Sequence, residues 1–154
     1  MKIQPSPLHL HDYFLTELNF RINPLFKSDQ SPLFSLKDLQ VKREIQDLSE
    51  SERKRMILRV SHQPKSEVNS PYSFTVEVMG TLEISKKFPE EKKQMLLQVN
   101  GASILYGVIR EILRSITSNA PYSQVLLPSL TFTVDSQEEE SAKESSTAPH
   151  ATKS

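Results

Sequence analysis

The hydrophobic pattern changes period once along the chain. Over residues 8–84 the period is two. In YSFTVEVMGTLEIS, Phe74, Val76, Val78, Leu82 and Ile84 fall on one parity with Gly80 among them. Ser73, Thr75, Glu77, Thr81 and Glu83 fall on the other, broken only by Met79. Side chains alternate across a strand, so this stretch predicts a strand with one buried face. LHLHDYFLTELNFRI repeats the pattern with Leu8, Leu10, Phe14, Leu18, Phe20 and Ile22. LQVKREIQD gives Leu39, Val41 and Ile45, and RKRMILRVSH gives Met56, Leu58 and Val60. Pro24, DLSESE and QPKSEVNSP punctuate the four runs. Consecutive one-sided strands predict an antiparallel sheet with one face covered.

From Pro89 onward the period is helical. PEEKKQMLLQV places Pro89 at a predicted first helical position, followed by Glu90 and Glu91, the charge that a helix start favours. Asn100 and Gly101 then predict an interruption or bend. A second helix is predicted over residues 103–118. Its apolar set, Ile104, Leu105, Val108, Ile109, Ile112, Leu113 and Ile116, spans about half the circumference at 100° per residue. Arg110, Glu111, Arg114 and Thr117 lie opposite. The stripe is wider than one sheet requires, so it is read as serving both the chain's own sheet and a second subunit. Pro121 disfavours helix at the residue before it and predicts an end near Asn119. Strands followed by helices make the fold class α+β: a four-stranded antiparallel sheet with C-terminal helices packed on one face.

Composition narrows the function. The 154 residues suit one domain, read as 1–134, with a polar tail at 135–154. The tail holds five acids, two lysines and no Leu, Ile, Val or aromatic residue, so it is predicted to be disordered. Nineteen basic and nineteen acidic residues balance, which leaves no electrostatic footprint for nucleic acid or an anionic membrane. The absence of cysteine excludes disulfides and thiolate metal sites. MKIQPSPLHLHDY does not read as a signal peptide, and no apolar run is long enough to span a bilayer. The expectation is a soluble cytoplasmic protein that inserts in no membrane.

Candidate chemistry is sparse. Three glycines, Gly80, Gly101 and Gly107, build no phosphate-cradling loop, and neither G-x-S-x-G nor H-E-x-x-H occurs. His9, His11 and Glu17 share a strand parity, but two strand histidines are a weak metal signal. The basic cluster SERKRM lies beside acids and reads as a solvated strand entry. The expectation is no enzyme, no metal and no cofactor. Two apolar segments at non-regular positions remain. NPLFKSDQSPLFSL joins the first two strands and carries Leu25, Phe26, Leu33 and Phe34. APYSQVLLPSLTF follows the long helix, and Pro121 and Pro128 deny it a helix or a central strand. Connections are usually polar. These two read either as packing at the sheet edge or as the walls of a groove for extended apolar polypeptide.

SILYGVIRE, a helix end, a proline loop and then YSQVLLPSLTF resemble the signature of SecB-type protein-export chaperones. In that family a helix carries Ile-Leu-aromatic-Pro-aromatic-x-Arg-Glu. An aromatic-Pro-x-Leu-x-Leu-x-Pro-Val-Asn-Phe segment follows it. The four strands, with a glycine inside the last, keep the family's order, and the resemblance covers residues 8–132. It implies a protomer that pairs into a dimer and then a tetramer, and an ATP-independent holdase that keeps unfolded or pre-export chains from aggregating or folding early. By position, the polypeptide-binding groove would draw on Pro24, Leu25, Phe26, Leu33, Phe34, Pro121, Tyr122, Val125, Leu127 and Pro128. The stripe from Ile104 to Ile116 would pack subunits. Gly107 stands where the family has a helix proline, and the polar tail stands where the family has a further helix. Of the acidic positions offered to the translocase motor, Glu17 matches, whereas Arg21 and Thr75 do not. A chaperone dedicated to one partner, such as an antitoxin, or a structural adaptor is the alternative.

Overall fold

The computed structural model describes residues 2–30, 35–48 and 52–134. Four strands, β1 (Leu8–Ile22), β2 (Leu39–Asp47), β3 (Arg53–His62) and β4 (Tyr72–Ile84), form one antiparallel sheet in the order β1-β4-β3-β2. A short helix α1 (Glu90–Leu96), one π-helical turn (Leu97–Gly101) and the long helix α2 (Ala102–Ser118) follow and cover one face. The fold class is α+β, as the change of period predicts.

The alternation in β3 and β4 explains the core. Met56, Leu58, Val60, Phe74, Val76, Val78 and Leu82 are buried on the covered face and meet Leu105, Ile109 and Leu113 of α2. Gly80 lies where the helix comes closest. A Cβ there would stand 2.7 Å from a methyl carbon of Leu105 and 3.1 Å from one of Leu10.

β1 departs from its predicted parity. Register shifts between Leu10 and Asp12 and between Leu15 and Glu17 mark two bulges, with His11 and Thr16 as the added residues. Past the first, Tyr13 and Leu15 sit opposite Gly80 and Val78 on the covered face, and Phe14 turns to the open face opposite Met79. The second restores the original parity, so Leu18, Phe20 and Ile22 face the helix side. The predicted single apolar face therefore loses Phe14 and gains Tyr13 and Leu15. The same bulge sets His11 beside His9 on the open face, where its ring reaches Glu83, the register partner of His9.

The helical region differs in two details. Pro89 precedes α1 rather than opening it: its ψ of 129° is extended, and its carbonyl accepts the first helical-turn bond from the Lys92 N–H. The interruption expected at Asn100 and Gly101 is the π-helical turn, which begins three residues earlier. Gly101 lies against Leu82 and Met56, where a Cβ would stand 2.9 Å and 3.0 Å from their side chains. α2 ends at Ser118 with Asn119 as its cap, as Pro121 requires.

Candidate functional site

The two irregular apolar segments are brought together at one end of the sheet. Phe26, from the connection after β1, lies with its ring centroid 4.6 Å from that of Tyr122, from the segment after α2. Tyr122 in turn lies 5.9 Å from Tyr72, and Tyr72 lies 5.0 Å from Phe20. All three pairs are tilted, an arrangement that aromatic quadrupoles favour. Tyr72 is buried at the start of β4 and its hydroxyl accepts a hydrogen bond from the Tyr122 N–H at 3.1 Å. Burial pushes the Tyr72 phenol above its ordinary pKa, so it remains a neutral anchor.

Two asparagines shape the β1 connection. The Asn23 side chain accepts from the Leu25 N–H and donates to the Ser70 carbonyl, while its backbone N–H donates to Pro71. Asn69 accepts from the Lys27 N–H and donates to the Lys27 and Gln30 carbonyls. A backbone that belongs to neither helix nor strand is thereby satisfied by side chains. Leu25 is left 81% exposed and Pro24 is exposed beside it, with Phe26 half-buried.

The segment over residues 121–134 hangs on α2 in the same manner. Thr117 donates to the Leu113 carbonyl and accepts from the Val125 N–H at 2.9 Å. Gln124 donates to the Arg114 carbonyl, and the Tyr106 hydroxyl donates to the Pro128 carbonyl at 2.8 Å. Burial raises the Tyr106 phenol, and its ring meets Phe132 edge-on at 5.8 Å. Arg43 of β2 donates to the carbonyls of Gln98 and Thr133. Proline can break this segment without cost because its backbone partners are side chains rather than a ladder.

The expected groove residues separate accordingly. Pro24, Leu25, Phe26, Pro121, Tyr122, Val125 and Pro128 lie at or near the surface. Leu127 is 2% exposed and belongs to the core, so it anchors the segment and does not line a groove; its neighbour Leu126, which periodicity did not single out, is 72% exposed. Leu33 and Phe34 lie outside the described residues, as do the tail residues 135–154. The pattern placed Phe20 only on the apolar face of β1 and gave no role to Tyr72, Asn23 or Asn69, which hold the site. A Tyr on the core parity of β4 and an Asn directly before a proline were the available signals.

The helix stripe also divides. Leu105, Ile109 and Leu113 are fully buried against the chain's own sheet and cannot meet a second subunit. Ile104, Val108, Ile112 and Ile116 are half-buried. The Tyr106–Thr117 side of α2 carries the C-terminal segment toward β2, so Ile104, Val108 and Ile112 flank the β1 side. There Tyr13, Leu15, Leu18 and Ile22 remain about half exposed on the outermost strand.

Among the described residues, no cluster of three or more His, Asp or Glu side chains is arranged to hold a metal. His11 lies 2.5 Å from the Glu83 carboxylate. His11 and Arg53 hold the Glu83 carboxyl below its ordinary pKa.

A four-stranded sheet capped by helices on one face, with a side-chain-tethered apolar segment after the long helix, defines a SecB-like fold. The chain matches the family described as preprotein translocase subunit SecB over residues 4–141 and belongs to that family. Among solved structures it is similar to the Mycobacterium tuberculosis Rv1957 SecB-like chaperone, determined in complex with a ChAD peptide from the Rv1956 HigA1 antitoxin. The two are 13% identical with a TM-score of 0.54, over 80% of this chain and 88% of that one. A protein of unknown function from Streptococcus agalactiae is 10% identical with a TM-score of 0.45, over 79% of this chain and 96% of the other. No curated protein sequence matches the chain.

Proposed function

We propose that this SecB-family chain is an ATP-independent holding chaperone that masks apolar segments of unfolded polypeptides. The observation that carries the reading is the joining of Phe26 and Tyr122 on the buried Tyr72 pedestal, with Leu25 and Leu126 exposed on the two segments involved. Pinned backbone keeps these apolar side chains at the surface instead of letting them collapse into the core. Exposed apolar surface of this kind gains by covering apolar stretches of a client without catalysis. In this reading Pro24, Leu25, Phe26, Pro121, Tyr122, Val125 and Pro128 contact the client. Several protomers would engage one long client with raised avidity. The half-buried α2 flank and the apolar β1 edge supply the surface for a dimer, and dimers would pair again. Delivery to an export motor is a finer form of the same role.

A chaperone dedicated to one partner is the second reading. It is favoured by the fold shared with a SecB-like chaperone whose structure holds an antitoxin peptide.

Light scattering after size exclusion, with and without a reduced, unfolded client, tests the holding role. A stable complex with the unfolded client and none with its folded form is expected. The triple substitution Leu25→Ser, Tyr122→Ser, Leu126→Ser should weaken that complex at least tenfold, about 1.4 kcal/mol, while far-UV dichroism stays unchanged. Unaltered client affinity would remove these residues from the groove. Binding of one client but not of unrelated unfolded proteins would select the dedicated reading.

A further inference from the structure

The open face of the sheet, opposite α2, is divided by charge. The β1–β4 half presents Asp12, Glu17, Glu77 and Glu83 with Arg21, a net −3. The β3–β2 half presents Lys42, Arg53, Arg55 and Arg59 with Glu44, a net +3. Between two charged rows runs an apolar one, in which Phe14, Met79 and Ile57 stand side by side in register. Phe14 belongs to it only because the bulge at His11 turns that side chain outward, and it is 56% exposed. An exposed Phe on the β1 edge of this charged face is apolar area left uncovered.

We propose that this face docks on the same face of a second copy of the chain, through a two-fold axis lying along the strand direction between β4 and β3. That operator lays each acidic half over the partner's basic half, and it is the orientation of an in-plane axis that does so. An axis across the strands would set acid on acid. The register then decides which groups meet. Glu17 lies over the partner's Lys42 and Glu77 over the partner's Arg59. Glu83 lies over the partner's Arg53, and Met79 over the partner's Ile57. Within one copy Arg59 already bridges Glu17 at 2.5 Å and Glu77 at 3.2 Å, and Arg53 reaches Glu83 at 3.2 Å. Docking extends these pairs into networks of both copies around the central Met79 and Ile57 contacts, with Phe14 at the edge of the contact beside the partner's Glu44. A two-fold contact is self-complementary by symmetry, as the two opposed halves of this face require. Four strands by five rows give roughly 600 Å² per copy, about 1,200 Å² in all. That lies at the lower limit of stable interfaces, so the association is weak and is loosened by salt.

Sedimentation of the full chain over a range of concentrations, at about 50 mM and about 500 mM salt, reads the association. A charge exchange between copies tests the geometry. In Lys42→Glu alone, both symmetry-related contacts become acid on acid. In Glu17→Lys alone, both become base on base. Each protein alone should lose about tenfold in the salt-sensitive association constant, and an equimolar mixture of the two should regain it, since each contact is then again Glu on Lys. Thermal melts confirm that both fold. Equal association of Lys42→Glu and the parent, a mixture no stronger than its components, or a parent whose mass is independent of salt would each overturn the proposal. Capture of unfolded client, measured on the same samples, is expected to stay at parental strength. Its loss would count against the groove and not against this face.

Discussion

At the scale of single residues, Gly80 and Gly107 show how differently one residue type is used. Gly80 marks the closest approach of α2 to the sheet. Gly80→Ala should cost about 1–3 kcal/mol by driving Leu105 off its seat, read as a lowered denaturation midpoint. Gly107 faces open space on the same helix, so Gly107→Ala should stabilise by about 1 kcal/mol in the same measurement. Sequence placed both glycines in their elements but could not separate them, because the difference lies in what stands opposite. His62 carries the second residue-scale expectation. It is buried at the end of β3, 3.2 Å from Ser70 Oγ. Burial lowers its pKa, with Asp38 opposing. The unfolded chain therefore binds this proton more readily than the folded one. The contribution is fully present above the unfolded-state pKa of about 6.5 and is lost as pH falls below it, by up to about 1.4 kcal/mol per pH unit. Urea midpoints between pH 7 and pH 5 should fall for the parent and fall less for His62→Gln.

At the scale of elements, periodicity was a good guide wherever one face of an element alone decides its fate. β2, β3, β4 and the end of α2 lie where alternation and Pro121 put them. It was a poor guide in β1, because a bulge adds a residue without changing composition, and parity carries no trace of that addition. The α2 stripe was legible in extent but not in allocation. Seven apolar positions were visible; which of them the sheet takes depends on the side of the helix along which the C-terminal segment runs. The allocation has a test. Val108→Asp, on the half-buried flank, should reduce the mass of the proposed dimer in light scattering while leaving the protomer folded. Ile109→Asp, one position on, should instead abolish folding, because an unpaired buried charge costs several kcal/mol. An oligomer of unchanged mass in Val108→Asp would clear that flank of any subunit contact.

For the whole molecule, the family and its fold were legible from one helix motif and the proline-broken segment after it. The site was legible in half. Sequence identified the two apolar segments, and the structure adds the reason they meet: Tyr72, Asn23, Asn69 and Thr117 are ordinary strand, loop and helix residues until the topology sets them beside those segments. Leu127 shows the converse. It carries the motif's hydrophobicity yet spends it on the core, and the exposed position passes to Leu126.

Among the described residues β1 is paired with β4 alone, Leu8 opposite Ile84 and Ile22 opposite Tyr72. No earlier strand can take β4's place. During synthesis the first strand, the most apolar edge of the finished sheet, leaves the ribosome well before its partner exists. It waits in water as an extended, hydrophobic stretch of nascent chain. For that interval the protein has the form of the polypeptides it is proposed to hold, and a finished copy nearby would find its own successor among its clients.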